Sequence, residues 1–132
     1  MFLKCRALLL LALLMALLGC GQNTAHVPIL TELPEPPVLH PGQRFAILLN
    51  ADRLSGQTWR LATPLDGTCV RFTGFTWVFP PNNNPDHPIA TETWQFQAVG
   101  AGTVTIQMEY VRVSDPTATP LDTRTFPVTV VP

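Results

Sequence analysis

From residue 42 onward, apolar side chains recur at every second position, and this period restricts the fold more than any other feature of the sequence. Five runs share an apolar face, formed by Phe45, Ile47 and Leu49; Val70, Phe72, Phe75, Trp77 and Phe79; Trp94, Phe96 and Ala98; Val104, Ile106, Met108 and Tyr110; and Phe126, Val128 and Val130. Successive side chains of a strand point to opposite faces of a sheet, so the alternation predicts half-buried antiparallel β-strands.

Turn-forming residues separate these runs. Clusters of Gly, Pro, Asn, Asp and Ser stand at 55–56, 66–67, 80–85, 100–102 and 114–116. Such residues favour turns because they tolerate or preset the backbone angles that turns need. About seven short strands in about ninety residues are typical of a small β-sandwich. We therefore predict an all-β fold for residues 42–132, an Ig-like antiparallel sandwich of about seven strands.

The first twenty residues have the pattern of an export signal. Two basic residues precede a Leu/Ala run at 7–18, which ends in Leu17-Leu18-Gly19-Cys20. The run is about a dozen residues long, whereas a helix that spans a membrane needs about 20. The last four residues resemble the lipobox of bacterial lipoproteins, in which the cysteine is acylated and becomes the first residue. The alternative is an ordinary secretory signal whose cleavage site falls near a cysteine by chance.

We therefore expect residues 1–19 to be a lipoprotein-type signal peptide and Cys20 to carry the lipid. The protein would then be a membrane-anchored lipoprotein of the bacterial cell envelope that faces the periplasm. Residues 20–41 contain five prolines, and closely spaced prolines favour extended polyproline geometry. We predict that this segment is a tether. The alternative, that 27–30 and 38–39 join an edge strand, is compatible with proline, and we expect part of the segment to follow each description.

Charge and cysteine content exclude several classes of protein. Removal of residues 1–19 takes two of the eight basic residues away and leaves six against nine acidic ones, a net charge of −3. A nucleic-acid partner is not expected, because the chain lacks a basic patch. Cys69 is the single cysteine left in the domain, so no internal disulfide can form. We predict a buried, unreactive thiol there, since no histidine lies near it in sequence.

The sequence predicts neither an enzyme nor a metal site. A triad could be drawn from Asp86 and His87 with Ser55 or Cys69, but no G-x-S-x-G motif accompanies it. The three histidines are isolated, without the H-x-x-H or C-x-x-C spacing of a zinc site. The acidic residues Asp52, Asp86 and Glu92 lack the spacing of a calcium loop, and we interpret them as turn caps and solvated charges. No cofactor is expected.

Four stretches together are similar to one known family. They are Gly42-Gln43 before an alternating strand, Ser55-Gly56-Gln57-Thr58-Trp59 at the end of a loop, Ala101-Gly102-Thr103 at the start of a strand that ends in Met108-Glu109-Tyr110-Val111-Arg112, and a closing strand over 124–130. This pattern resembles the chagasin family, small Ig-like inhibitors of papain-type cysteine proteases. The resemblance covers roughly residues 40 to 131. It implies that the domain inserts loops into the active-site cleft of a protease without being cleaved.

The resemblance also implies which residues contact the protein partner, since the family presents three loops at one end of the sandwich. On this chain they are Asn50, Asp52, Arg53, Leu54, Ser55, Gly56 and Gln57 in the first loop, His87, Pro88, Ile89 and Ala90 in the second, and Arg112, Val113 and Ser114 in the third. This chain differs from the family's motif in each loop. The first loop lacks the family's proline and aromatic residue, the second lacks its glycines, and the third lacks its Pro-aromatic pair. We expect Arg53, Leu54 and Ile89 to supply contacts without a role in folding.

The alternative is a protein-binding or structural β-sandwich lipoprotein that does not inhibit. In that case the loops are solvated connections, and Trp59, Trp77 and Trp94 all belong to the core.

Overall fold

The computed structural model describes residues 27–30 and 36–132, which form eight strands in two sheets and no helix. The strands are β1 (Ile29–Leu30), β2 (Val38–Leu39), β3 (Arg44–Ala51), β4 (Gln57–Leu61), β5 (Val70–Val78), β6 (Ala90–Ala98), β7 (Gly102–Arg112) and β8 (Asp122–Val130). One sheet has the order β1-β3-β6-β5 and the other β2-β8-β7-β4. The predicted all-β sandwich is confirmed. Among the described residues there is no helix that is long and apolar enough to cross a membrane.

The alternating residues build the core between the two sheets. In the β3/β6 pair, Phe45 lies opposite Phe96 and Ile47 lies opposite Trp94. The rings of Phe45 and Phe96 stack with their centroids 5.3 Å apart. Ile106, Met108 and Val128 fill the core from the second sheet. Each such buried side chain contributes about 1.5–3 kcal/mol relative to an exposed one, and burial is the main source of stability because Cys69 is a free thiol.

The two shortest strands come from the segment that we predicted as a tether. β1 pairs in parallel with β3, and β2 pairs in parallel with β8, so both sheets are mixed rather than purely antiparallel. Leu30 and Leu39 are buried in the core. The prolines next to these strands are compatible with the pairing because their carbonyls accept hydrogen bonds. The carbonyl of Pro28 accepts one from the amide of Ala46, and the carbonyl of Pro37 accepts one from the amide of Thr129. The edge-strand alternative therefore describes these four strand residues.

Strand β5 contains a bulge that explains the change of phase in its sequence. Its register with β6 shifts between Phe72 and Gly74. The extra residue, Thr73, returns Phe75 and Trp77 to the face that carries Phe72. Cys69, just before the strand, is buried as predicted. The predicted signal peptide, Cys20 and the predicted tether residues 21–26 and 31–35 lie outside the described residues.

Candidate functional site

Three connections meet at one end of the sandwich. They follow β3, β5 and β7 and comprise residues 52–56, 79–89 and 113–121, which we call the loop end. The first loop bonds to both of the others. Asp52 Oδ2 lies 3.3 Å from His87 Nε2 in the second loop, and the amide of Val113 donates to the carbonyl of Gly56 across 2.8 Å. The structure therefore brings the three predicted loops together.

Asp52 organises the first loop as a turn. Its Oδ1 accepts a hydrogen bond from the amide of Ser55, and its carbonyl accepts one from the amide of Gln57. The hydrogen bonds from Ser55 hold the pKa of Asp52 below its ordinary value, and the neighbouring His87 acts in the same direction, while desolvation opposes them. The amide of Asp52 donates to the hydroxyl of Tyr110 across 2.7 Å. Gly56 closes the turn with a positive φ of 72°, which favours glycine.

Beneath this loop lies Glu92, which the sequence pattern predicts to be a solvated charge. Glu92 has an exposed fraction of 0 %, so that interpretation is wrong. Its position in β6 is in phase with Trp94 and Phe96, which places its side chain on the inner face of the sheet. The sequence did contain an indication of this burial, because Glu92 is an acidic residue at an inward-facing position of an alternating run.

Four groups from three elements satisfy the Glu92 carboxylate. Arg53 Nη1 donates to Oε1 across 2.7 Å and Thr58 Oγ1 donates to the same oxygen across 2.5 Å. The amide of Trp59 and the indole Nε1 of Trp94 donate to Oε2. A carboxylate with this many donors is stable in a buried position, and it fixes the first loop to β4 and β6.

The expectation that Arg53 has no role in folding is wrong. Its guanidinium pairs with the buried carboxylate of Glu92 and lies over the Trp77 ring, 4.7 Å from the centroid, and near Phe75 at 5.8 Å. Removal of one partner of a buried ion pair leaves an uncompensated charge inside the protein. Arg53 therefore helps to fix the first loop to the sandwich.

Several predicted contact residues do lie exposed at the loop end. Leu54 and Val113 are 68 % and 62 % exposed. Ser55, Ser114 and His87 are also exposed. The loop end therefore presents two strongly exposed apolar side chains on adjacent loops, while Phe79 and Leu121 are about 40 % exposed.

Other predicted contact residues are placed differently. Asn50, Gln57, Ala90 and Arg112 belong to strands rather than loops. Ala90 is fully buried at the start of β6, so it cannot contact a partner. Pro88 and Ile89 are half-buried, and the side-chain amide of Asn83 bonds to both the amide and the carbonyl of Ile89. The second loop is thus held by Asn83 at its base.

Aromatic residues beside the loop end were not among the predicted contacts. Phe72, Phe75, Trp77 and Phe79, which we call the aromatic strip, are 37–42 % exposed. The interpretation of Trp77 as a core residue is therefore wrong, whereas Trp59 is buried and Trp94 is partly buried against the core. Since β5 is the last strand of its sheet, the aromatic strip has a neighbouring strand on one side only.

The possible triad of Asp86 and His87 with Cys69 does not assemble, and the contact observed for His87 is with Asp52 rather than with Ser55. Cys69 precedes β5 and His87 lies beyond its far end, and a nine-residue strand is about 30 Å long. His87 faces Asp52 rather than completing a nucleophile pair. Across residues 27–30 and 36–132, no group of His, Cys, Asp and Glu is arranged to hold a metal ion.

Comparison with known proteins agrees with the family resemblance that the sequence shows. The family described as chagasin family peptidase inhibitor I42 matches residues 38–130. The crystal structure of the cysteine protease inhibitor EhICP2 from Entamoeba histolytica is similar in fold, with a TM-score of 0.63 and 24 % identity over 80 % of this chain and 96 % of that one. The solution structure of Amebosin has a TM-score of 0.55 and 20 % identity over the same shares. No curated protein sequence matches the chain.

Proposed function

This chain belongs to the chagasin family of peptidase inhibitors, and from that premise we propose that it inhibits papain-type cysteine proteases by inserting the loop end into the active-site cleft. The observation that carries the proposal is the family match, which spans both sheets and all three loops. The family consists of inhibitors rather than enzymes. The function therefore depends on binding, and no residue of this chain needs to react.

The construction of the loop end supports this proposal. The Arg53–Glu92 ion pair, the bond from Asp52 to Tyr110 and the bond from Val113 to Gly56 hold the first loop in one conformation. A surface that is ordered before binding loses little conformational entropy in the complex. A rigid turn also resists the extended geometry that a protease imposes on a cleaved bond, so the loop blocks the cleft as an intact chain.

We propose that Leu54 and Val113 are the first apolar contacts in the cleft. Both are exposed on adjacent loops, and a few well-buried apolar side chains dominate the energy of most interfaces. The replacements in the three loop motifs change these contacts relative to the family pattern. We therefore expect the set of proteases inhibited by this chain to differ from that of inhibitors with the full motifs.

An inhibition assay tests the proposal. The chain from residue 20 onward is titrated against papain and cathepsin L with a fluorogenic peptide substrate, and mass spectrometry follows the inhibitor. We expect reversible, competitive inhibition of at least one enzyme, with the inhibitor intact after prolonged incubation. Binding without inhibition would favour the alternative of a non-inhibitory binding module, and cleavage between residues 52 and 56 would contradict the mechanism.

We also propose that the inhibitor is a lipoprotein of the bacterial cell envelope, acylated at Cys20. The support is the sequence of the first twenty residues, with its short apolar run and the Leu17-Leu18-Gly19-Cys20 ending. An anchored inhibitor would act on proteases that reach the membrane surface.

A further inference from the structure

We propose that the aromatic strip is a second contact surface, which binds an apolar part of the protease rim beside the cleft while the loop end occupies the cleft. This inference rests on the proposed function. It adds an interaction surface that three aromatic residues of strand β5 form together with Phe79, the first residue of the second loop, none of which was among the predicted contacts.

The aromatic strip is too exposed to be explained by core packing alone. Phe72 and Phe75 pack against Trp94 on one side, with ring centroids 5.6 Å and 4.7 Å apart, and each keeps more than a third of its surface exposed. Trp77 and Phe79 contact each other edge to face at 5.4 Å. An apolar patch of about 300–600 Å² is the largest that a typical monomer exposes, and such patches are often functional.

The aromatic strip is continuous with the loop end. Arg53 of the first loop lies over Trp77, and Phe79 is the first residue of the second loop. A protease that covers Leu54 therefore meets Trp77 and Phe79 at the edge of the same interface. This continuity favours the same partner as the occupant of both surfaces.

Area also argues for a supplementary contact rather than a separate one. Four aromatic side chains at about 40 % exposure offer roughly 300 Å². A stable dimer requires about 800 Å² from each partner. The aromatic strip is therefore too small to hold a second copy of this chain by itself, but it is large enough to extend an interface that the loops begin.

The charges near the aromatic strip define the chemistry of its partner. The guanidinium of Arg53 is paired with Glu92, and Arg71 of the same strand bonds to Gln97. Gln97 is neutral, so Arg71 keeps its charge, but it lies on the face of β5 opposite the aromatic strip. The charge that borders the aromatic strip, that of Arg53, is compensated by Glu92. We expect an apolar partner surface and a contribution to binding that does not depend on salt.

Two substitutions with a matched control test the proposal, with papain as the probe. Trp77→Thr and Phe79→Thr each remove one aromatic side chain from the strip. Val78→Thr removes an apolar side chain that is 60 % exposed on the opposite face of the same strand. We expect each aromatic variant to raise the inhibition constant about tenfold, mainly through faster dissociation, equally at about 0.05 M and 0.5 M NaCl. Val78→Thr should inhibit like the unmodified chain.

The outcomes separate this proposal from the proposed function. If the unmodified chain inhibits papain and both aromatic variants inhibit equally well, the second contact surface is refuted while the inhibitor remains. If the unmodified chain does not inhibit papain, the inhibitor proposal itself fails for this enzyme and the second contact surface falls with it. Sedimentation of the chain alone gives an independent check. If the unmodified chain is a dimer and Trp77→Thr is a monomer, the aromatic strip binds a second copy of this chain, and the proposal is wrong. Unfolding curves of all variants exclude loss of folding as the cause.

Discussion

Glu92 places a negative charge where it has no contact with solvent, and the groups around it determine the shape of the first loop. Arg53, Thr58, Trp59 and Trp94 all donate to its carboxylate. The isolated charge would be very unfavourable in such a position, so each donor supports the fold as well as the loop. The same residues therefore link the stability of the sandwich to the conformation that we propose for inhibition.

Substitution of Arg53 tests this link. Arg53→Ala should lower the free energy of unfolding by about 3–5 kcal/mol, because it leaves the Glu92 charge buried without its cation. Arg60→Ala is the control, since its pair with Glu109 is partly exposed and such pairs contribute about 0–1 kcal/mol. Denaturant titration measures both. Equal, small losses for the two variants would show that the buried pair does not stabilise the loop.

Tyr110, the single tyrosine of the chain, gives a pH-dependent test. Burial raises the pKa of its hydroxyl, and the bond from the Asp52 amide opposes this effect. The folded state therefore keeps this proton to higher pH than the unfolded state does. Its contribution to stability is complete below the unfolded pKa of about 10 and is lost as pH rises through the folded pKa.

Absorbance near 295 nm follows the ionisation of Tyr110 directly. We expect a midpoint above that of free tyrosine in the folded chain. Tyr110→Phe should remove the contribution of this group to alkaline unfolding. A midpoint at or below the value of free tyrosine would contradict the burial of this hydroxyl.

At the scale of strands and loops, β5 shows both what the sequence can predict and where it fails. The period of two identified the strand and even its change of phase, because alternation follows from strand geometry. It could not show that Phe72 and Trp77 remain exposed, since exposure depends on where the opposite sheet ends. β1 likewise has only two residues, and its pairing is set by contact with β3 rather than by a local pattern. The clustering of the loops followed from the Ig arrangement, whereas the Arg53–Glu92 pair required the register of distant strands.

The connection between β6 and β7 depends on a glycine for a steric reason. A Cβ at Gly100 would lie 2.6 Å from the carbonyl oxygen of Thr68, a backbone atom that cannot move easily. Gly100→Ala should therefore destabilise the domain by about 1–3 kcal/mol. At Gly74 the nearest atom is 3.2 Å away and belongs to the flexible side chain of Gln95. Gly74→Ala should therefore destabilise the domain less than Gly100→Ala does. Thermal unfolding of the two variants, measured in parallel, tests this order, and a larger loss for Gly74→Ala would contradict it.

For the whole molecule, the proposal combines an anchored N-terminus with a rigid sandwich whose three loops face a protease. The two parts of the proposal are independent and can be tested separately. The proposed anchor depends on Cys20, and the proposed inhibition depends on the sandwich that includes residues 38–130. A soluble fragment that begins after Cys20 should therefore keep any inhibitory activity of the anchored protein.

Cys20→Ser tests the anchor. Loss of the thiol prevents acylation, and stable membrane attachment of a lipid-modified protein requires more than one acyl chain. Fractionation of bacterial cells that express the unmodified chain should place it with the membranes, and the variant should lose this attachment. Cys69→Ser serves as the control, because this buried thiol lies in the core and not in the signal region. Equal distribution of the unmodified chain and the Cys20→Ser variant would contradict the lipoprotein proposal.

The central claim, that the loop end occupies the active-site cleft, is tested most directly at the catalytic cysteine of the protease. Papain is treated with iodoacetamide in the presence of a saturating amount of the chain, and the rate of alkylation is measured. We predict that the unmodified chain slows alkylation strongly and that Leu54→Asp, which places a charge at the exposed tip of the first loop, restores the rate. A complex that forms at saturation while the cysteine is alkylated at the rate of free papain would contradict the claim.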